Sequence, residues 1–224
     1  MSCKKQDFIH CGTTRMDEFP EFDRRVLEAL RQPLEDRVIS ISRAKGSAIF
    51  PASFILIATM NPCPCGNLGV KGKECVCSPS NIQRYKTRLS GPIIDRIDIW
   101  LEVGTVDHRK LLREKDVQKE SESRLAREQV KKARGIQEER AKKLKISSKT
   151  NAELKAKDLI RALFLTPEGK EALDASASSF GLSARSYTRV AKLARTIADL
   201  EGSEKIQPLH IMEALQYRPK RLGD

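Results

Sequence analysis

Aromatic residues and long apolar runs are scarce in this chain of 224 residues. Phe, Trp and Tyr make up 5% of it, against 32% charged residues, which favours a soluble, helix-rich protein. No apolar run approaches the ~20 residues that a membrane helix needs, and residues 1–15 lack the apolar stretch of a secretory signal. We therefore expect a cytoplasmic protein that has no membrane partner. The three histidines are scattered and predict no catalytic triad.

The charge balance is basic, with 42 Lys and Arg against 30 Asp and Glu and a net charge of +12. Such a surplus indicates an anionic partner, most often nucleic acid or nucleotide, although general solubility also explains it. Residues 106–157 carry most of the surplus, with 17 Lys and Arg against 9 Asp and Glu. Apolar residues from Leu125 to Leu144 recur at helical spacing there, so the sequence predicts a long amphipathic helix.

A short apolar run, Phe54–Ala58, is the centre of the chain's organisation. Its length and composition predict a strand buried on both faces of a parallel sheet, although periodicity alone does not exclude a buried helix segment. Pro62 lacks an N–H group and restricts the residue before it to extended backbone, so the strand ends here. Asn61 therefore lies at the carboxyl end of a buried strand, where open α/β sheets bind ligands.

Two adjacent carboxylates, Asp17 and Glu18, precede the first helix. In such a pair one carboxylate can hold Mg²⁺ while the other activates a water molecule, although the pair also fits ordinary helix N-terminal charge. The residues before them, 12–16, are not apolar, so no strand is predicted to lead into Asp17. Further along, residues 38–50 alternate around Gly46 and predict a β-hairpin.

Five stretches together resemble one family of ATPases. In chain order they are DEFPEF from Asp17, FPASFILIATMNPCPCG from Phe50, SGPIIDRIDIWLEV from Ser90, LSARSYTRVAKLARTIADLEG from Leu182 and HIMEALQYRP from His210. They resemble the Mg-chelatase-like AAA+ ATPases, in particular the YifB/ComM branch, bacterial proteins linked to competence and DNA branch migration. The resemblance runs from about residue 16 to residue 218.

The resemblance implies a fold class: a partial α/β AAA+ core, with an incomplete parallel sheet and a β-hairpin, followed by an all-α helical lid bundle. The implied organisation is a disordered or cloning-derived start over 1–15, the core over 16–105 with a Cys-rich loop at 62–78, a basic helical linker over 106–150 and the lid over 151–224. Within the core, residues 99–103 alternate and predict a further strand. In the lid, the last helix begins at Pro208, with Leu209 and Met212 predicted to be buried.

The resemblance also implies site residues, cofactors and partners. Phosphoryl transfer depends on positioning and charge neutralisation, so groups from separate elements must converge on the γ-phosphate. The complete protein is expected to bind ATP and Mg²⁺, to form a ring, in this family a hexamer, and to act on DNA as a helicase-type motor. The implied roles are Walker B for Asp17 and Glu18, sensor 1 for Asn61, arginine finger for Arg96 and sensor 2 for Arg185. The alternatives are a loop cap for Asn61, a local ion pair with a neighbouring aspartate for Arg96 and a surface charge for Arg185.

One element of the family is missing, because no G-x-x-x-x-G-K-[ST] loop occurs in the sequence. That loop supplies the backbone N–H groups and the lysine that hold the phosphates. We therefore expect the chain to be the C-terminal portion of such an ATPase, and to neither bind ATP tightly nor hydrolyse it alone. The alternative is a non-catalytic, zinc-stapled basic module that binds nucleic acid or caps an oligomer.

Four cysteines follow Asn61 in the spacing C-x-C-x9-C-x-C, and glycines punctuate the loop between the two pairs. Four thiolates can bind Zn²⁺ tetrahedrally, although the usual spacing within a pair is two to four residues. The open alternative is reduced, metal-free thiols. The candidate ligands are Cys63, Cys65, Cys75 and Cys77.

The basic helix has two interpretations. It can contact the DNA backbone or another domain, or it can be a solvated face stabilised by pairs of opposite charge four residues apart. The candidate DNA-contacting residues are Lys131, Lys132, Arg134, Lys142, Lys143 and Lys145.

Overall fold

The structure, a computed structural model, describes residues 12–43, 46–104 and 116–219. The chain forms two compact units, which are described separately. The first extends to Ile97, and the second runs from Asp98 to Arg221. The early cysteines at positions 3 and 11 lie outside the described residues.

The first unit combines a small parallel sheet, a hairpin and short helices. Strands β1 and β4 pair in parallel, with Gly12 opposite Phe54 and Met16 opposite Ala58. Strands β2 and β3 form the antiparallel hairpin that the sequence predicts, with Val38 opposite Pro51. The strands are β1 (Gly12–Met16), β2 (Val38–Arg43), β3 (Gly46–Pro51) and β4 (Phe54–Ala58), and the helices are α1 (Arg24–Ala29), α2 (Arg31–Asp36), α3 (Pro79–Lys86) and α4 (Gly91–Ile94).

The start of α3 shows how local sequence sets an element boundary. Ser78 has extended backbone and its hydroxyl accepts a hydrogen bond from the backbone N–H of Asn81 at 3.3 Å. Pro79 occupies the first helical position, where its missing N–H group needs no partner. The helix then buries Tyr85, which joins Phe19, Leu27 and Ile93 among the buried residues of this unit.

The strand β1 corrects the sequence prediction, which placed residues 12–15 in a disordered or cloning-derived start. Residues 12–16 form a strand because their backbone pairs in parallel with that of β4. Of its five side chains only that of Met16 is buried. The prediction was wrong because it required an apolar run, whereas parallel pairing needs only the backbone N–H and C=O groups.

Two further predictions for this region were wrong. The strand β4 is not buried on both faces, since Ile55 is 63% and Ile57 is 50% exposed. The reason is that the described part of its sheet contains only two strands. Residues 99–103 alternate in polarity but form no strand, because no strand of the described residues pairs with their backbone. The backbone N–H of Trp100 instead donates to the carbonyl of Tyr217 at 2.9 Å.

The second unit is a helical bundle. Thr166 and Ser183 cap the helices that follow them, accepting hydrogen bonds from the backbone N–H groups of Gly169 and Ser186. Gly202, with φ of 82°, ends the helix that Ser183 caps. The helices are α5 (Asp116–Leu144), α6 (Ala156–Leu163), α7 (Pro167–Phe180), α8 (Ala184–Glu201) and α9 (Pro208–Gln216).

The helix α5 belongs to this unit and is not a separate linker over 106–150, as the sequence predicted. Its C-terminal half buries Ala133 and Gln137, while Leu125 and Val130 of the predicted apolar stripe remain exposed. The N-terminal part of the apolar stripe lies on a portion of the helix that does not pack on the bundle. Periodicity predicts which side of a helix is apolar, but not how much of its length is packed.

The final helix is also rotated relative to the prediction. Leu209 and Met212 are exposed, and the buried residues of α9 are His210, Ile211 and Ala214. His210 is held by its contacts at both ring nitrogens: Nδ1 accepts the backbone N–H of Gln207 at 3.0 Å, and Nε2 contacts Glu201. This capping interaction sets the rotation of the helix and carries no apolar signature.

A buried ion network joins several segments of the bundle through Asp199. Its carboxylate accepts hydrogen bonds from Arg140 of α5 at 2.6 and 2.7 Å, from Arg195 at 3.1 Å and from Asn151 at 2.8 Å. Arg195 is itself fully buried and donates to the carbonyls of Leu163, Ser203 and Glu204. Burial lowers the pKa of Arg195, while the charge of Asp199 opposes that shift.

None of the helices in the described part of the chain is long and apolar enough to cross a membrane.

The buried network yields a stability prediction. We expect Asp199→Asn to reduce the free energy of unfolding of the second unit by about 3–5 kcal/mol, because it leaves buried guanidinium groups without a counter-charge. Asp98→Asn is the matched control. Its carboxylate is exposed and pairs with Arg189, so we expect a cost of at most about 1 kcal/mol. Urea unfolding checks both, and equal losses would contradict a special role for Asp199.

Gly169 tests the packing of α7, and Gly135 in α5 is the control. A Cβ atom at Gly169 would lie 2.7 Å from the carbonyl oxygen of Ile206, whereas one at Gly135 of α5 would have no neighbour within 4 Å. We therefore expect Gly169→Ala to destabilise the unit by about 1–3 kcal/mol. Gly135→Ala should stabilise it by about 1 kcal/mol, because alanine is the better helix former. Thermal unfolding measures both shifts, and a common sign would refute the packing argument.

Candidate functional site

The parallel pairing of β1 and β4 brings two of the predicted site segments to one edge of the sheet. Asp17 follows β1 directly, and Thr59 follows β4. The pairing continues past the strands, since the N–H of Thr59 donates to the carbonyl of Met16 at 3.0 Å and the N–H of Phe19 donates to that of Thr59 at 2.8 Å. The acidic pair and the segment that leads to Asn61 are thus in register.

Thr59 is a site residue that the sequence analysis missed. Its hydroxyl donates to Oδ1 of Asp17 at 3.2 Å and accepts the backbone N–H of Glu18 at 3.3 Å. Arg15 also contacts Oδ1 of Asp17, through Nε at 3.2 Å, in a pair whose side chains are both exposed. The only signal in the sequence is a hydroxyl residue directly after the apolar strand.

Glu18 lies in a tight turn. Its φ of 53° is in the left-handed region, which costs a residue other than glycine about 1 kcal/mol or more. The turn allows the chain to leave β1 and enter the short 3₁₀ helix Phe19–Glu21, which has Pro20 near its start. Both acidic side chains are exposed at this turn, as a pair that meets a metal ion or water must be.

Asn61 is exposed and lies at the beginning of the Cys-rich loop. Gly66 folds back beside it with φ of 77°, and a Cβ atom there would lie 3.9 Å from Cγ of Asn61. Tyr85 of α3 meets the backbone of the same residue. Burial raises the pKa of Tyr85, and the backbone hydrogen bond of Asn61 acts in the opposite direction. The sensor-1 candidate is therefore in contact with the loop on one side and α3 on the other.

Arg96 is paired within its own unit. Its Nε lies 3.1 Å from Oε2 of Glu35, its NH1 donates to the carbonyl of Pro92 at 2.7 Å, and its side chain is only 9% exposed. Arg96 thus forms an ion pair with Glu35 of α2, a residue distant in the sequence that the local ion-pair alternative did not include. Asp98, which the sequence places beside Arg96, instead pairs with Arg189.

Arg185 belongs to the second unit, in the first turn of α8. The turn is well defined, because Ser183 caps it and the hydroxyl of Ser186 accepts a hydrogen bond from Arg218 at 3.1 Å. The side chain of Arg185 is half-buried. This places the sensor-2 candidate on a rigid helix start.

A groove of about 450 Å³ lies elsewhere on the first unit. None of the residues that line it is a predicted site residue; they come from the start of α1 and the end of α3 and include Phe22, Leu27, Arg84 and Arg88.

The basic candidates all lie on exposed positions of α5 and the residue after it. The buried face of the helix carries Ala133 and Gln137, whereas the six basic side chains are exposed. No ion pair described for this chain involves any of the six; they are Lys131, Lys132, Arg134, Lys142, Lys143 and Lys145.

The four clustered cysteines converge, with their sulfur atoms within 4.8 Å of one another, and all are free thiols. A backbone hydrogen bond from Asn67 lowers the pKa of Cys65 to about 6. For Cys77 a backbone hydrogen bond with Cys65 lowers the pKa, but burial and the neighbouring sulfur atoms outweigh it and raise the pKa to about 12. Such a cluster is a soft, electron-rich site of the kind that binds transition metals.

Comparison with known proteins now identifies the family. Residues 7–111 match the family described as magnesium chelatase, subunit ChlI, and residues 120–218 match magnesium chelatase, subunit ChlI C-terminal. Together the two matches cover most of the chain, which therefore belongs to the magnesium-chelatase-like family. The resemblance found in the sequence is confirmed, as is the fold class of a partial α/β core with a helical bundle.

The most informative relatives are bacterial. The chain is 44% identical over 207 residues to competence protein ComM of Haemophilus influenzae, and 38% identical over 209 residues to the uncharacterized protein YifB of Escherichia coli. These alignments cover 92% and 93% of this chain but 39% of each relative. Maternal DNA replication licensing factor mcm6 of Xenopus tropicalis is 24% identical over 216 residues, 94% of this chain and 25% of the relative.

Proposed function

We propose that the chain is the C-terminal portion of a magnesium-chelatase-like AAA+ ATPase that acts on DNA. The observation that carries this proposal is the joint edge of β1 and β4. There Thr59 links the acidic pair to the segment that leads to Asn61. Acidic residues and a polar sensor candidate that follow the carboxyl ends of two paired parallel strands fit the arrangement that nucleotide hydrolysis needs.

Each residue has a defined chemical role in the proposal. Asp17 would hold Mg²⁺ when ATP is bound, and Glu18 would orient and activate the attacking water. Asn61 would contact the γ-phosphate or that water. The proposed role of Arg185 is that of sensor 2, and its place in the first turn of α8 gives it a fixed base. The cofactors that accompany this chemistry are ATP and Mg²⁺, whereas zinc concerns the cysteine cluster alone.

Arg96 takes the role of arginine finger in a ring, the proposed assembly being a hexamer. A finger acts on nucleotide held by a neighbouring subunit and neutralises charge in the transition state. The support for this role is the family resemblance. In the folded chain the carboxylate of Glu35 compensates the charge of Arg96. To act as a finger, Arg96 must leave Glu35 and contact the phosphate of the nucleotide held by the neighbouring subunit. Glu35 is thus the residue that keeps Arg96 neutralised before assembly.

A chimera tests the ATPase proposal. The chain replaces the matching segment of Haemophilus influenzae ComM, and Mg²⁺-dependent ATP hydrolysis is measured. We expect hydrolysis by the chimera, and a loss of about 10²–10⁴-fold in kcat for Glu18→Gln, because the base that activates water is removed. Arg96→Ala should cost about 10³-fold or more.

The matched control is Glu21→Gln, three residues from the acidic pair. Glu21 is an exposed carboxylate that pairs with Arg88, so its loss should leave the rate unchanged. The isolated chain serves as the blank, because it contains no phosphate-binding loop. An active chimera whose rate is insensitive to Glu18→Gln and Arg96→Ala would refute the assigned roles. Binding of DNA without any hydrolysis by the chimera would favour the non-catalytic module.

The exposed basic side of α5 is the proposed DNA contact. Its six basic residues are all exposed, and exposed Lys and Arg side chains can neutralise the phosphates of a nucleic-acid backbone. Two of the relatives point in the same direction by name, one a competence protein and the other a DNA replication licensing factor.

The salt dependence of binding tests this contact. We expect binding of a fluorescent DNA duplex to weaken as salt rises, with a slope of about 0.9 for each phosphate contact. Charge reversal at Lys131, Arg134, Lys142 and Lys145 should flatten the slope, because those contacts no longer release counterions. Fluorescence anisotropy over a series of salt concentrations measures it.

The control reverses four exposed lysines on other elements of the same unit: Lys155, Lys157, Lys170 and Lys205. The net charge changes equally in both variants, so general electrostatic attraction falls equally. If the salt slope flattens equally in both variants, the basic side of α5 is an ordinary solvated face. If the slope flattens only in the α5 variant, the DNA contact lies on this helix.

A further inference from the structure

The loop from Pro62 to Ser78 has little that holds it in place. It contains no helix or strand until α3 begins, and Cys63 is its one buried residue. Val76 is 83% exposed. A loop of this length without regular structure or an apolar cluster is uncommon in a compact domain unless something else orders it.

The four sulfur atoms are arranged as ligands of a single ion. The sulfur atoms of Cys63 and Cys65 lie 3.4 Å apart, and Cys75 is 3.7 Å from both. In a tetrahedral site with zinc–sulfur bonds of about 2.3 Å, the sulfur atoms are about 3.8 Å apart. A disulfide requires about 2.05 Å, so the cluster is not a pair of crosslinks. The spacing of one residue within each cysteine pair is shorter than usual for zinc ligands. It does not prevent the four sulfur atoms from converging.

The backbone of the loop is folded to present these sulfur atoms. Gly66, Gly69 and Gly72 all have φ between 75° and 79°, a conformation that other residues rarely adopt. Turns stabilise the path, with the N–H of Gly66 donating to the carbonyl of Cys63 at 3.0 Å. The N–H of Leu68 points at the sulfur of Cys63 at 3.4 Å, and such outer hydrogen bonds orient metal ligands.

We propose that Cys63, Cys65, Cys75 and Cys77 bind one structural Zn²⁺ ion, which holds the loop between the end of β4 and the start of α3. Four protein ligands leave no open position for substrate, which defines a structural site. The ion is anchored two residues after Asn61 and directly before the cap of α3, Ser78. It therefore fixes the backbone on which Asn61 is presented. The metal site rests on the sulfur geometry and does not depend on the proposed ATPase.

Metal analysis of the chain tests the proposal. Protein purified under reducing conditions without chelator should contain about one zinc ion per chain by plasma mass spectrometry. Cys63→Ser combined with Cys75→Ser should lose the zinc. Cys3→Ser combined with Cys11→Ser removes the same number of thiols outside the cluster and should retain it.

A second measurement covers the case in which the cluster variant fails to fold. Zinc is stripped from the unaltered chain, and Co²⁺ is added in its place. We expect the intense visible absorption of tetrahedral cobalt thiolate, and four fewer thiols open to a thiol reagent when metal is bound. Hydrogen exchange of amides 62–78 should be faster in the stripped chain and should slow again with Zn²⁺ but not with Mg²⁺.

Three results would overturn the proposal: zinc below about a tenth of an equivalent, iron in place of zinc, or loss of zinc from the Cys3→Ser and Cys11→Ser variant. These measurements use no nucleotide. A failed zinc site and a failed ATPase proposal are therefore told apart directly.

Discussion

The first unit depends on the pairing of two five-residue strands, β1 and β4. The pair aligns the ends of both strands, so that a single hydroxyl, that of Thr59, reaches the side chain of Asp17 and the backbone of Glu18. Little of this alignment comes from apolar packing, since only Met16 of β1 is buried. Backbone hydrogen bonds and one threonine thus set the position of the acidic pair. The geometry of the pair therefore depends on the few residues that follow each strand.

The second unit is organised by charge inside an apolar bundle. Buried ion pairs often add little net stability, because desolvation offsets the attraction between the charges. Their geometric effect is larger. Asp199 accepts hydrogen bonds from α5, from Asn151 in the short 3₁₀ helix Asn151–Glu153 and from its own helix. Arg195 donates to three carbonyls. This network makes the basic helix part of the bundle, so its exposed side is carried on a rigid support.

Local sequence signals predicted the hairpin and the start of the last helix at Pro208, whereas tertiary contacts decided what the sequence did not predict. Ser78, Thr166 and Ser183 cap helices through hydrogen bonds to neighbouring backbone, which is the kind of local interaction that a sequence can reveal. The strand β1 was missed because its partner is about forty residues away and its side chains are polar. Among the candidate site residues, Asn61 follows a strand as predicted, whereas the strand before the acidic pair was not predicted and the contact between Arg96 and Glu35 has no signature in either segment. The roles of these residues remain predictions.

The exposed isoleucines of β4 have a practical consequence for anyone who handles the protein. In the described residues the sheet ends after two strands, so β1 and β4 each present an outer row of backbone N–H and C=O groups, beside Ile55 and Ile57. An unpaired, apolar edge of this kind is a template for strands from other molecules. We therefore expect concentrated solutions of the chain to assemble edge to edge, and a lysine on the outward side of β4 to reduce that assembly.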